Sequence, residues 1–164
     1  MAVTVKKAWS DRPFVWHKDK DGARVLMWSD TLHLQLVKDG KEFAAAFRFC
    51  GRDSEPGSTG FRCDGLSVPK PFRWFLKDWD EDDELYNLAG AVHDWLYASV
   101  GACGHFTRSE CDDIFRGILR ESGVSRFKAS TADLMVGLFA GCRLHWGNDS
   151  YGVRGLVRME TLAC

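Results

Sequence analysis

The segment His93-Asp94-Trp95-Leu96-Tyr97 sets an imidazole, a carboxylate and a phenol close together in the chain. On a helix, His93 and Tyr97 share one face with Tyr86 and Ala89. Asp94 then points about a quarter turn away, so the pair can serve two ligands at once. Gly90 and Ala91 leave room around the ring. Two further carboxylates frame the segment: Asp64, in an Asp-Gly loop, and Asp112. An imidazole beside carboxylates can take a proton from water, and carboxylate and carbonyl oxygens are the donors that hard cations take. If these groups converge, the site holds a cation and activates a water.

Two helices must position them. The acidic run Asp78 to Glu84 leads into a helix expected from about Leu85 to Ser99, its carboxylates suiting a helix N-terminus or a solvated face. Thr107-Arg108-Ser109-Glu110 is a capping box, and it opens a second helix that runs to about Glu121 and ends at Ser122-Gly123. On that helix Asp112 shares the apolar stripe of Phe115 and Leu119. A carboxylate aimed at a core needs a partner, and His93 and Tyr97 can donate to it if the two helices pack antiparallel. Asp113 falls on the wetter side and reads as surface charge. A third helix is expected from about Phe127 to His145, with Gly137 and Gly141 one turn apart for a close helix approach.

The first third of the chain reads as strands. Arg24 to Trp28 is β-prone, and Leu32, Leu34 and Leu36 alternate with Thr31, His33 and Gln35, the period of a half-buried strand. Asp39-Gly40 reads as a hairpin turn and Glu42 to Phe49 as the returning strand. His33 lies on the polar face and is expected to be solvated. Gly51 to Gly60 is a turn-rich loop, and Pro71-Phe72-Arg73-Trp74-Phe75 is an aromatic stretch. Asn148 to Cys164 carries no clear signal. The expected architecture is a single α+β domain, 1–164, with an N-terminal antiparallel hairpin or sheet packed on an antiparallel helix pair plus a third helix.

Composition narrows the function classes. With 164 residues, 45% hydrophobic and 27% charged, the chain fits one soluble globular domain with a core of its own. Lys plus Arg (22) nearly cancels Asp plus Glu (23), so no global field favours nucleic acid or an anionic membrane as a partner. The N-terminal MAVTVKKAWSDRPF lacks the apolar stretch of a signal peptide, and no run reaches the length of a transmembrane segment. Cys50, Cys63, Cys103, Cys111, Cys142 and Cys164 form no C-x-x-C pair, which favours reduced thiols. Cys103, His105 and Cys111 match no common zinc spacing, so small buried fillers are the better reading.

The residues alone leave two readings open. In one, Asp112 accepts bonds from His93 and Tyr97 and the cluster is a polar clamp that fixes the helix pair. In the other, Asp64, the Gly65 carbonyl and Asp94 form a hard-cation site beside the His-Asp dyad, with oxygen ligands of the kind calcium takes.

Asp64-Gly65-x-Ser67-x-Pro69, Ala91-x-His93-Asp94-x-x-Tyr97 and Arg108-x-x-x-Asp112-x-x-Phe115 occur in that order. Over Phe61 to His145 the chain thereby resembles an uncharacterised domain family common in bacteriophage genomes. The same motifs are more remotely similar to the prokaryotic secreted phospholipase A2 enzymes. This second resemblance implies that His93 is the general base for water, with Asp112 holding its ring and Tyr97 helping. It also implies that Asp94, Asp64 and the Gly65 carbonyl bind calcium, which polarises the ester carbonyl. The implied protein is a phage-encoded hydrolase of an ester or acyl bond in lipid or another host-envelope substrate, placed in the host cytoplasm or on the virion. The competing class is a non-enzymatic virion or interaction protein, partnered by phage structural proteins, that keeps the clamp and presents Phe72 to Phe75 as its contact surface. A zinc-dependent peptidoglycan amidase or peptidase fits less well, because only one well-placed His is present.

Overall fold

The computed structural model describes residues 2–18, 24–27, 31–49, 60–63, 66, 68, 73–99, 104–143 and 155–162. Their elements are β1 (Val3–Ser10), β2 (Trp16–Lys18), β3 (Arg24–Met27), β4 (Leu32–Lys38), β5 (Lys41–Phe49), β6 (Gly60–Cys63), α1 (Glu84–Ala98), α2 (Arg108–Glu121), α3 (Arg126–Arg143) and β7 (Gly155–Thr161). The fold is α+β, as the sequence led us to expect. One antiparallel sheet has the order β1-β4-β5-β7, and a smaller one has the order β2-β3-β6.

The β4–β5 hairpin turns at Asp39 and Gly40, with φ of 53° and 74°. Positive φ at both central residues is the conformation whose twist matches the flanking strands, and Asp-Gly adopts it readily. The alternation before the turn places Leu32, Leu34 and Leu36 inside, all fully buried. On the returning strand, Phe47 packs against Trp95 of α1 (ring centroids 5.7 Å apart) and against Phe106 (5.9 Å). Leu88, Val92, Leu96, Ile114 and Ile118 complete this layer between sheet and helices. Burial of such side chains contributes about 1.5–3 kcal/mol each, so this layer fixes where α1 and α2 sit.

β1 and β7 carried no sequence assignment, and both line the large sheet. In β1 the register against β4 shifts between Val5 and Lys7. Val3, Val5 and Ala8 all point inward, so the bulge breaks the period-two pattern that marks a strand. β7 pairs with β5 from Gly155 opposite Phe49 to Thr161 opposite Phe43. α2 lies against β1, where a methyl group at Gly117 would overlap the Val5 side chain. Glycine is needed there for helix and strand to approach so closely.

The helix ends follow the sequence signals. Asp83 caps α1 by accepting from the Tyr86 N–H at 3.0 Å. In α2, Thr107 Oγ1 accepts from the Glu110 N–H (3.4 Å) while Glu110 Oε2 accepts from the Thr107 N–H (2.8 Å). Ser122 is the C-cap, and Gly123 follows at φ 87°. The acidic run is tied down rather than merely solvated. Lys77 donates to Asp80 (2.9 Å), and the Asn87 side chain takes the Asp80 N–H (2.9 Å) and donates to its carbonyl (2.5 Å). His33, expected in solvent, stacks on Trp9 at 5.4 Å and faces the Asp11 carboxylate at 3.2 Å. Among the described residues, no helix is long and apolar enough to cross a membrane.

Candidate functional site

Successive positions along α1 meet receding positions along α2. His93 touches Asp112 and Phe115, and one turn on, Tyr97 touches Asp112 and Arg108. The helices are therefore antiparallel, the arrangement that lets His93 and Tyr97 reach the half-buried Asp112 carboxylate. Its partners are the ones expected. His93 Nε2 lies 3.1 Å from Asp112 Oδ1, and the Tyr97 hydroxyl donates to the same oxygen at 2.6 Å. Arg108 Nε donates to the Tyr97 oxygen at 3.1 Å, and its guanidinium lies over the Tyr97 ring at 5.4 Å. The His93 ring, 2% exposed, packs between Tyr97 (centroids 4.1 Å) and Phe115 (5.2 Å).

The other ring nitrogen looks back along α1. His93 Nδ1 is 3.6 Å from Asp94 Oδ1, within reach of an ion pair but long for a hydrogen bond. Burial works against a charged ring, but the Asp112 bond and the Asp94 and Asp112 carboxylates outweigh it and hold the His93 pKa above the ordinary histidine value. Burial and then the Asp112 carboxylate push the Tyr97 phenol up as well, against the pull of Arg108. This geometry fixes the ring by its Nε2 side and turns Nδ1 toward Asp94.

The profile of one protein family, described as "Protein of unknown function (DUF1353)", matches residues 44–136, more than half of the chain. The chain belongs to the DUF1353 family. The matched span runs from β5 into α3 and so contains every site residue named so far. No curated protein and no solved structure matches the chain.

In this DUF1353 protein the proposed cation ligands are only partly in view. Asp64 and Gly65 lie outside the described residues, as do Ser67, Pro69 and Phe72. Asp94 is described, with its side chain 16% exposed. Cys63, the last residue of β6, donates from Sγ to Asp94 Oδ2 over 3.9 Å. The strand end that precedes Asp64 in sequence therefore lies against Asp94. Among the described residues no three metal-binding side chains cluster. The donor types still suit a hard cation, since Asp94, Asp64 and a backbone carbonyl are all oxygen ligands.

Two residues beside the site had no role in the residue-by-residue reading. Arg108 ends the chain of bonds from His93 through Asp112 and Tyr97, and its place one residue after the Thr107 cap, one turn before Asp112, was the available signal. Cys63 reaches Asp94 only through the fold, and nothing in the sequence announces it.

Asp113 is a correction. It is buried rather than surface charge: its Oδ2 accepts from the Val3 N–H at 2.9 Å, and its Oδ1 accepts from Arg116. Helical periodicity placed it facing water, but β1 packs on that side of α2. Cys63 and Cys111 are both buried, and burial pushes the Cys111 thiol up to about 12. Such a thiol keeps its proton at neutral pH and serves as filler. His105 is exposed, and Cys103 lies outside the described residues.

Proposed function

We propose that the α1–α2 seam is the active site of a phage-encoded, calcium-dependent hydrolase of phospholipase A2 type, acting on an ester or acyl bond of host-envelope lipid. One observation carries this reading: the two nitrogens of His93 face two different carboxylates, Asp112 at Nε2 and Asp94 at Nδ1. Asp112 orients the ring, Tyr97 and Arg108 orient Asp112, and Nδ1 is left to take a proton from water. Calcium, when bound by Asp94, Asp64 and the Gly65 carbonyl, would supply charge neutralisation at Asp94 and polarisation of the ester carbonyl.

A second reading has an observation of its own. His93 is almost fully buried and its pKa is raised, which suits a charged clamp inside a non-enzymatic virion or interaction protein. Hydrolysis of phospholipid in the presence of calcium separates the two. The hydrolase reading expects His93→Gln to lose about 100-fold or more in rate with the fold intact, and Asp64→Asn to lose activity too. Equal rates for His93→Gln and the parent protein would rule it out. The clamp reading expects Asp64→Asn to be silent.

A further inference from the structure

We propose that the face built by Trp74, Phe75 and Phe127 is a docking surface for an anionic lipid bilayer. The hydrolase reading gives this surface its purpose, and on that point the two stand together.

Trp74 is 82% exposed and Phe127 is 73% exposed, the two most exposed large apolar side chains among the described residues. They are not scattered. Trp74 lies 5.5 Å from Phe75 between ring centroids, and Phe75 lies 5.9 Å from Phe127. Phe75 also packs inward on the hydrophobic core, so the outer rings stand on a fixed base. Leu134, seven residues after Phe127, extends the same face of α3 and is 63% exposed.

Two cations stand beside these rings. Lys128 Nζ sits 5.2 Å above the Phe75 ring, and Arg126 flanks Phe127 on its other side in sequence. Neither has an acidic partner among the described residues. Arg73 and Lys77, which bracket Trp74 and Phe75, are paired with Asp78 (2.8 Å) and Asp80 (2.9 Å). Asp133, the acid on α3, turns away to Arg116 of α2 at 2.5 Å. Protruding aromatic rings edged by unpaired cations suit a headgroup layer, where rings enter the interface and cations meet lipid phosphates. A protein partner would have to supply a pocket around each ring, whereas a bilayer adapts to them.

The test is co-sedimentation of the whole protein with vesicles of phosphatidylcholine alone and of phosphatidylcholine mixed equally with phosphatidylglycerol. The parent protein should bind the anionic vesicles and bind the neutral ones weakly. Trp74→Ala with Phe127→Ala should lower partitioning by about tenfold or more with an unchanged melting temperature, because both rings are exposed. Lys128→Glu should remove about fivefold on anionic vesicles only, and added salt should mimic it. Failure of the parent protein to sediment with anionic vesicles, or equal sedimentation of the double variant, overturns the proposal. So does a concentration-dependent dimer that Trp74→Ala abolishes without any vesicle binding, which would assign the face to a second copy. His93→Gln should bind vesicles like the parent. If the parent binds them through these rings yet hydrolyses no lipid, the surface stands and the hydrolase reading falls.

Discussion

Adjacent carboxylates on α2 serve its two sides differently. Toward β1 and α3, Asp113 is spent on structure: the Val3 N–H and Arg116 take its two oxygens, and Arg116 goes on to Asp133. Toward α1, Asp112 accepts both His93 and Tyr97 on a single oxygen, Oδ1, and its side chain remains 23% exposed. The same residue type, one position apart, is thus a saturated fastener on one side and a partly open acceptor on the other. Open capacity next to an imidazole is what chemistry needs, and saturation is what a fold needs.

Substitutions at the two positions should break this contrast in opposite ways. Asp112→Ala has the larger effect, because it removes the carboxylate that accepts from both a buried imidazole and a buried phenol. It should cost about 2–4 kcal/mol in denaturant unfolding and abolish hydrolysis as well. Asp113→Ala should cost about 1–3 kcal/mol, loosening β1 from α2, while calcium binding and hydrolysis persist. Equal functional loss in both variants would erase the distinction.

The pH dependence sharpens it further. His93 has a folded pKa raised above its unfolded value, so its contribution is fully present below the unfolded pKa and is lost as pH rises through the folded one. General-base activity should rise over that same interval, since only the neutral ring accepts a proton. Thermal melts across pH should therefore fall where rates climb, and His93→Gln should flatten that limb of the stability curve. Glu110 behaves in the opposite sense. Burial disfavours its charge, yet the Thr107 N–H and Lys38 hold its carboxyl below the usual range. Its contribution is present above the unfolded pKa and is lost as pH falls through the folded one.

Much of this was legible because local chemistry spells it out. Asp-Gly between two alternating runs gave the β4–β5 hairpin, the capping box gave the start of α2, and the buried stripe of Asp112 demanded the donors it has. The misses share a cause, which is dependence on contacts distant in sequence. The bulge after Val5 hides β1 from any period-two reading, and β7 is held by pairing with β5. Asp113 looked wet until β1 covered it. The likeness of the motifs to a domain family was legible too, and residues 44–136 place the chain in DUF1353.

Calcium titration by calorimetry on the parent protein and Asp94→Asn, with magnesium as the control ion, tests the site most directly. Saturable calcium binding that disappears in Asp94→Asn is the predicted result, and it would put a hard cation beside His93. Heats no different from buffer at about millimolar calcium, or identical binding in both proteins, would contradict the account and leave the His93-Asp112-Tyr97 cluster a clamp.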